Sequence, residues 1–175
     1  MRLANYYSGV RTLALWDIDH TLVSIGGLSA EIYATVFREV TGRALERLAD
    51  MAGKTDRAII SDTLRLHRIT PSENLLAAFG KELATAFADR EDDIERCGKT
   101  LPGAREALSA LAVRPEVVQS VLTGNLDSIA FGKLAAFGLH AYVDFEIGAF
   151  GFDELERPPL VGIARKRGRS RQWAW

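Results

Sequence analysis

Two carboxylates two positions apart, Asp17 and Asp19, close the apolar run Leu13-Ala14-Leu15-Trp16 and are followed by Thr21 and Gly26-Gly27. On a strand, the side-chain period of two sets both acids on one side. At the carboxyl end of a parallel strand that side faces the crevice of an open α/β sheet. Two acids in such a place are costly unless something cationic shares them, so the pattern calls for partners elsewhere in the chain. The plainer alternative is a strand ending in an Asx-type turn, with both acids simply solvated. Phosphate-binding groups downstream decide between the two.

Such groups occur. The run Val117-Val118-Gln119-Ser120-Val121-Leu122 is a buried-strand candidate ending in Thr123-Gly124-Asn125. The tripeptide offers a hydroxyl, a position where backbone can approach closely, and an amide. It also reads as a strand-to-helix turn capped by Asn125 or Asp127. Two cations could serve an anion here: Lys133, inside the next predicted helix, and Arg157, just before Pro158-Pro159. Lys133 reads equally as an exposed helix charge. A polar loop, Gly53-Lys54-Thr55-Asp56, places Lys54 where it could meet a substrate anion, or else marks an ordinary helix start capped by Asp56. His20, His67 and His140 show no metal-ligand spacing, and on the strand His20 should point away from Asp19.

These residues need elements to hold them. After Thr21 the pattern turns helical, with Ser29 as a cap and Ile32, Tyr33, Val36, Phe37 and Val40 on one face up to Gly42. Leu45, Leu48 and Met51 suggest a short second helix ending at Gly53. Asp56 caps a third, with Ile59, Ile60 and Leu64 on a common side. Thr70 and Glu73 have capping-box spacing around Pro71 before a fourth helix carrying Leu75, Leu76, Phe79, Leu83 and Phe87. The acidic run Glu91-Asp92-Asp93 reads as a solvated face. Residues 26–98 are thus predicted helical without a strand, an insert in what is otherwise an alternating α/β pattern. Beyond Pro102-Gly103, the expectation is helix over 104–112, strand over 117–122, helix over 126–137 and a third strand over 142–147. A helix over 160–166 and a basic tail complete the reading.

Composition sets the bounds. A chain of 175 residues, 47 % apolar and 26 % charged, is enough for one domain with an insert. A net charge of −1 gives no pull toward nucleic acid or anionic membrane, and tail residues Trp173 and Trp175 have no binding fold behind them. Cys97 is the single cysteine, which excludes an intrachain disulfide and a thiolate metal cluster. There is no apolar h-region near Met1 and no apolar run of roughly 18 residues, so a cytoplasmic protein with no membrane partner is expected.

Taken together, Asp17-x-Asp19-x-Thr21, the strand-terminal Thr123 and the helical insert resemble the haloacid dehalogenase (HAD) superfamily, above all its phosphatases with a helical cap after the first strand. The resemblance implies a Rossmann-like α/β core (residues 1–25 and 99–175) and a cap (26–98). It implies hydrolysis of a small phosphorylated metabolite through an aspartyl phosphate on Asp17, with Asp19 as acid and base. Thr123, Gly124 and Asn125 would bind phosphate together with Arg157, preferred over Lys133 because the family's basic residue often precedes a proline. Lys54 would select substrate from the cap, and Mg²⁺ would sit on Asp17 and Asp19. Asp19 favours phosphoryl transfer over carbon–halogen cleavage, since a dehalogenation has no leaving alcohol to protonate.

The family's fourth motif, an acidic Gly-Asp pattern at another strand end, does not occur after Ala164. The expectation is therefore a truncated sheet, an incomplete Mg²⁺ site, reduced or lost activity, and self-association through the exposed edge of the first strand. A truncated or frameshifted product, completion by another chain, a noncatalytic binding or regulatory protein on the same scaffold, and a phosphomutase remain open.

Overall fold

A computed structural model describes residues 12–170; residues 1–11 and 171–175, with the predicted tail residues Trp173 and Trp175, lie outside the described residues. In chain order the elements are β1 (Thr12–Trp16), β2 (Val23–Ser24), α1 (Leu28–Thr41), α2 (Asp56–Leu66), α3 (Glu73–Ala88), α4 (Glu91–Cys97), β3 (Lys99–Thr100), α5 (Ala104–Ala112), β4 (Val117–Val121), α6 (Asp127–Ala135) and α7 (Pro158–Ser170). Two 3-10 turns, His140–Tyr142 and Phe145–Ile147, lie between α6 and α7. No helix among the described residues is long and apolar enough to cross a membrane.

The apolar runs containing Leu13 and Val117 pair as parallel strands, from Thr12 against Val117 to Trp16 against Val121. Helices cover both faces, as parallel pairing requires. On one side Ile18, Leu22 and Val121 pack with Leu108 of α5 and Ala130 and Leu134 of α6. On the other, Leu15 and Leu122 meet Leu160 and Ala164 of α7. The buried polar residues of β4 are satisfied: Gln119 Oε1 accepts from the Trp16 indole at 3.0 Å, its amide donates to the Leu108 carbonyl at 2.9 Å, and Ser120 Oγ donates to the Asp144 carbonyl at 2.6 Å. Among the described residues β1 is paired on this one side only.

Helices α1–α4 form an insert closed at its base by β2 and β3, which pair antiparallel as Val23 with Thr100 and Ser24 with Lys99. No strand lies between them, as the helical periodicity predicts. The insert has its own apolar centre, in which Phe37, Ile60, Phe79 and Leu83 are buried, and Ile129 of α6 joins it from the sheet side. Gly42 ends α1 in the left-handed region, φ 70°, and returns its N–H to the Arg38 carbonyl.

Several local expectations are corrected. The segment around Leu45, Leu48 and Met51 is not helical, because its backbone is served from α2 and the turn after it: His67 Nε2 accepts the Glu46 N–H at 3.0 Å, and Thr63 Oγ1 accepts that of Ala49 at 3.2 Å. Thr55, not Asp56, caps α2, its hydroxyl accepting from Ala58 N–H; Ser72, not Thr70, caps α3. Gly27 rather than Ser29 precedes α1. The acidic run opens α4 and is a solvated face as expected, with Glu91 and Asp92 exposed and Asp93 bonded to Arg90 and Arg96. The predicted strand over 142–147 is a 3-10 turn instead. Asp144 accepts the Glu146 N–H with its side chain and turns the chain away, leaving one parallel bridge, Leu122 with Ala149, where a third strand would run.

Candidate active site

At the end of β1, Ile18 is fully buried and its carbonyl accepts the N–H groups of Leu22 and Val23 at 2.9 and 3.1 Å. This tight turn, with His20 at φ 60°, fixes the acids on either side of Ile18. Asp17 Oδ1 accepts the Ile18 N–H at 2.9 Å and lies 2.9 Å from Arg157 Nη2. Asp19 receives Lys133 Nζ on both oxygens, at 2.8 and 2.9 Å, and the Asn125 amide on Oδ2 at 2.7 Å. Each acid therefore has its own cation, one from the start of α7 and one from α6.

Beyond β4, Thr123 is fully buried and accepts from the Asn125 amide at 2.8 Å. Lys133 Nζ also donates to Asn125 Oδ1, at 2.8 Å. Thr123, Asn125, Asp19 and Lys133 thus form one hydrogen-bonded chain. The exposed-charge alternative for Lys133 fails, since the residue is 2 % exposed. Its nitrogen sits 5.5 Å from the centre of the Phe87 ring, which the insert supplies. Burial alone would raise the Asp19 pKa, but the Lys133 charge and hydrogen bonds, with help from Asn125, outweigh it and hold the carboxyl below its ordinary value.

The insert rests directly on this loop. Asp56 N–H donates to the Gly124 carbonyl at 2.6 Å, Arg57 N–H to the Gly151 carbonyl at 3.3 Å, and Thr55 Oγ1 to the Leu155 carbonyl at 2.7 Å. The Asp56 carboxylate accepts from the Tyr33 hydroxyl and from the Leu126 N–H, both at 2.7 Å. A Cβ on Gly124 would lie 2.1 Å from the Lys54 carbonyl, so glycine is required there by contact rather than by φ. Between insert and sheet lies a cavity of about 560 Å³ whose walls include Asp17, Asp19, Thr123, Gly124, Asn125, Lys133, Arg157 and Lys54, the complete set singled out from sequence. His20 also borders it. Lys54 is tied to Asp62 at 2.8 Å. Tyr33, Asp56 and Phe87 line the same space, and sequence reasoning assigned them to helix faces or caps. Only the polarity of Tyr33 on an otherwise apolar stripe hinted at a buried partner.

Desolvation raises the Asp56 pKa, and this outweighs the Lys133 charge and the Tyr33 and Leu126 hydrogen bonds that act against it. For an acid whose folded pKa is raised, the folded state binds more protons over the window above the unfolded value, so stability falls as pH climbs through that window. Asp56→Asn removes this dependence. The melting temperature of the variant relative to the parent is expected to rise from pH 4 toward neutrality; a constant difference would refute the assignment.

The family model of haloacid dehalogenase-like hydrolases matches residues 14–173. The chain belongs to that family. Among solved structures, a haloacid dehalogenase-like hydrolase from Streptococcus pneumoniae superposes with a TM-score of 0.55 at 15 % identity, covering 95 % of this chain and 72 % of that one. A hydrolase from Pseudomonas syringae gives 0.55 at 17 %, covering 90 % and 70 %. A candidate phosphatase from Clostridium difficile gives 0.54 at 14 %, covering 92 % and 70 %. At such identities the likeness carries the fold. No curated protein matches the sequence significantly.

The family generally uses Mg²⁺. Among the described residues no group of three acidic, imidazole or thiol side chains is arranged to hold a metal. The donors present are hard oxygens, the Asp17 carboxylate and the Asp19 main-chain carbonyl, and they fit Mg²⁺ in kind, because that ion is commonly held by one or two carboxylates with water and substrate phosphate.

Proposed function

We propose that this haloacid dehalogenase-like hydrolase acts on a small phosphomonoester through an aspartyl phosphate on Asp17. The observation that carries the reading is the separate pairing of Asp17 with Arg157 and of Asp19 with Lys133 at one wall of a cavity sized for a metabolite. Two acids and two cations cancel. A phosphate dianion entering the site brings an excess charge equal to that of one divalent cation.

In the first step an Asp17 oxygen forms a bond to phosphorus and the ester P–O bond breaks. Asp19, which takes up a proton from solvent as the phosphate dianion binds beside it and opposes the effect of Lys133, delivers that proton to the departing alkoxide. In the second, water attacks phosphorus, its proton passes to Asp19, and inorganic phosphate leaves Asp17 as the carboxylate. Arg157 offsets charge on Asp17 and on the transferring group. The Thr123 hydroxyl accepts the Asn125 amide, so its own proton is available to a phosphate oxygen, and Gly124 borders the same cavity. Asp17 and the Asp19 main-chain carbonyl would hold Mg²⁺, which when bound would supply charge neutralisation near phosphorus. The helical insert acts as a cap that excludes water from the cavity, and Lys54, released from Asp62, meets a second anionic group of the substrate. Among the described residues the Asp17 carboxylate and the Asp19 carbonyl are the groups that would hold the ion, so a high Mg²⁺ requirement is expected.

The test is chemical trapping. The chain incubated with an aryl phosphate and Mg²⁺ is quenched with borohydride, which reduces an aspartyl phosphate to homoserine. Peptide mass analysis should find that conversion at position 17. Turnover with no conversion at Asp17 would overturn the mechanism.

A further inference from the structure

Lys133 does not behave as a phosphate ligand. An ammonium group has three donors, and all three are spent: two on the Asp19 oxygens at 2.8 and 2.9 Å and one on Asn125 Oδ1 at 2.8 Å. The Phe87 ring covers it from the insert side, and its side chain is 3 % exposed. Arg157 differs: its side chain is 24 % exposed, and it places one nitrogen on Asp17. A lysine that merely balanced charge would need no fixed geometry, and one that bound phosphate would keep a donor for it.

We propose that Lys133 is a positioning residue for proton transfer: with Asn125 it fixes the Asp19 carboxylate in the orientation from which it meets the ester oxygen, and it makes no contact with phosphate. The inference rests on the phosphatase reading of the site and adds to it a function for a second cation. Asn125 completes the device, because its amide donates to Asp19 while its carbonyl receives Lys133, so the three side chains form a closed ring of hydrogen bonds. The ring is anchored to the end of β4 through the Asn125 contact with Thr123. Asp19 is thereby tied to the core and not to the insert, and its orientation does not depend on closure.

A positioned general acid matters in proportion to how poor the leaving group is, which gives a readout that a merely structural role would not move. Lys133→Met keeps the volume and removes the donors. With an alkyl phosphate, kcat is expected to fall about 100-fold, in the range of general acid–base contributions. With p-nitrophenyl phosphate, whose leaving group needs no proton, it is expected to fall less than about fivefold. KM should stay nearly unchanged for both. Equal losses on the two substrates, or a common rise in KM, would overturn the proposal in favour of phosphate binding or plain stability.

A second measurement is independent of turnover. A crystal structure of the variant is expected to show the Asp19 carboxylate rotated away from Asn125; the same rotamer in place overturns the proposal. Should Lys133→Met lack a cooperative melt, Lys133→Gln, with its single amide, carries both measurements. A parent chain that hydrolyses neither phosphate would sink the phosphatase reading, while the orientation of Asp19 still decides the positioning claim.

Discussion

Asp17→Asn is expected to lower hydrolysis of an aryl phosphate by at least roughly four orders of magnitude, the scale of losing a nucleophile whose partners act with it as a unit. Shape is conserved in this substitution and charge is not. Asparagine has the same outline, and its carbonyl can still accept the Ile18 N–H that Asp17 Oδ1 accepts at 2.9 Å, so the turn after β1 is preserved. What disappears is the negative oxygen that attacks phosphorus and the ionic partner of Arg157. The guanidinium is then free for substrate, so binding of inorganic phosphate should survive or tighten while turnover is lost. Initial rates and phosphate affinity, measured on samples with matching melting temperatures, check both halves. Equal rates for parent and variant would exclude catalysis through Asp17.

The second large effect is on stability. Gly151→Ala is expected to cost about 3 kcal/mol or more, at or beyond the upper end of what overpacking imposes. A Cβ at this position would stand 1.7 Å from the Gly124 carbonyl oxygen and 2.9 Å from the Asp56 nitrogen. Neither neighbour is a flexible side chain. One is the backbone of the loop after β4, the other the first residue of α2. Gly151 also donates to the Asn125 carbonyl at 2.7 Å and accepts from Arg57 N–H, so displacement would break bonds on both sides of the cavity. Gly162→Ala supplies the contrast: it lies on the exposed side of α7 with nothing within 4 Å of an added methyl, and should stabilise by about 0.5–1 kcal/mol. Urea denaturation of the two variants measures the difference; a Gly151→Ala chain as stable as the parent would mean that insert and loop do not meet as described.

The parts of the fold that were legible in the sequence are those with strong periodicity and clean punctuation. The residues of β1 and β4 are apolar runs ending in polar turns, α5 is bounded by Gly103 and Val113, and α1 stops at Gly42, so their existence and extent follow from local pattern. Tertiary capture defeated the pattern elsewhere. The segment holding Leu45, Leu48 and Met51 has helical spacing, yet His67 and Thr63 claim its backbone donors. The stretch from Tyr142 to Ile147 has strand composition, yet Asp144 closes a turn within it. At the site, residue types and spacing named the cavity's chemical groups but not their pairing. That Lys133 would reach Asp19 depends on α6 turning that face inward, and nothing in the spacing distinguishes it from a surface lysine. The contribution of Asp56 was hidden for a similar reason, since an acid in a first helical turn already has a sufficient explanation.

The pairing of β1 with β4 also bears on how the chain comes to be folded. Trp16 and Gln119, joined by a hydrogen bond, are 103 positions apart, and the insert fills most of that interval. Bringing the two strands together from a disordered chain would carry a large loop-closure entropy before any sheet contact repaid it. The helices α1–α4 have their own apolar centre and contacts of much shorter range, and β2 with β3 draws the ends of the insert together. Collapse of the insert is expected to come first, shortening the effective loop so that β1 meets β4 late. Substitutions in the insert core, such as at Phe79, should then slow folding, while those at the β1–β4 contact should mainly hasten unfolding.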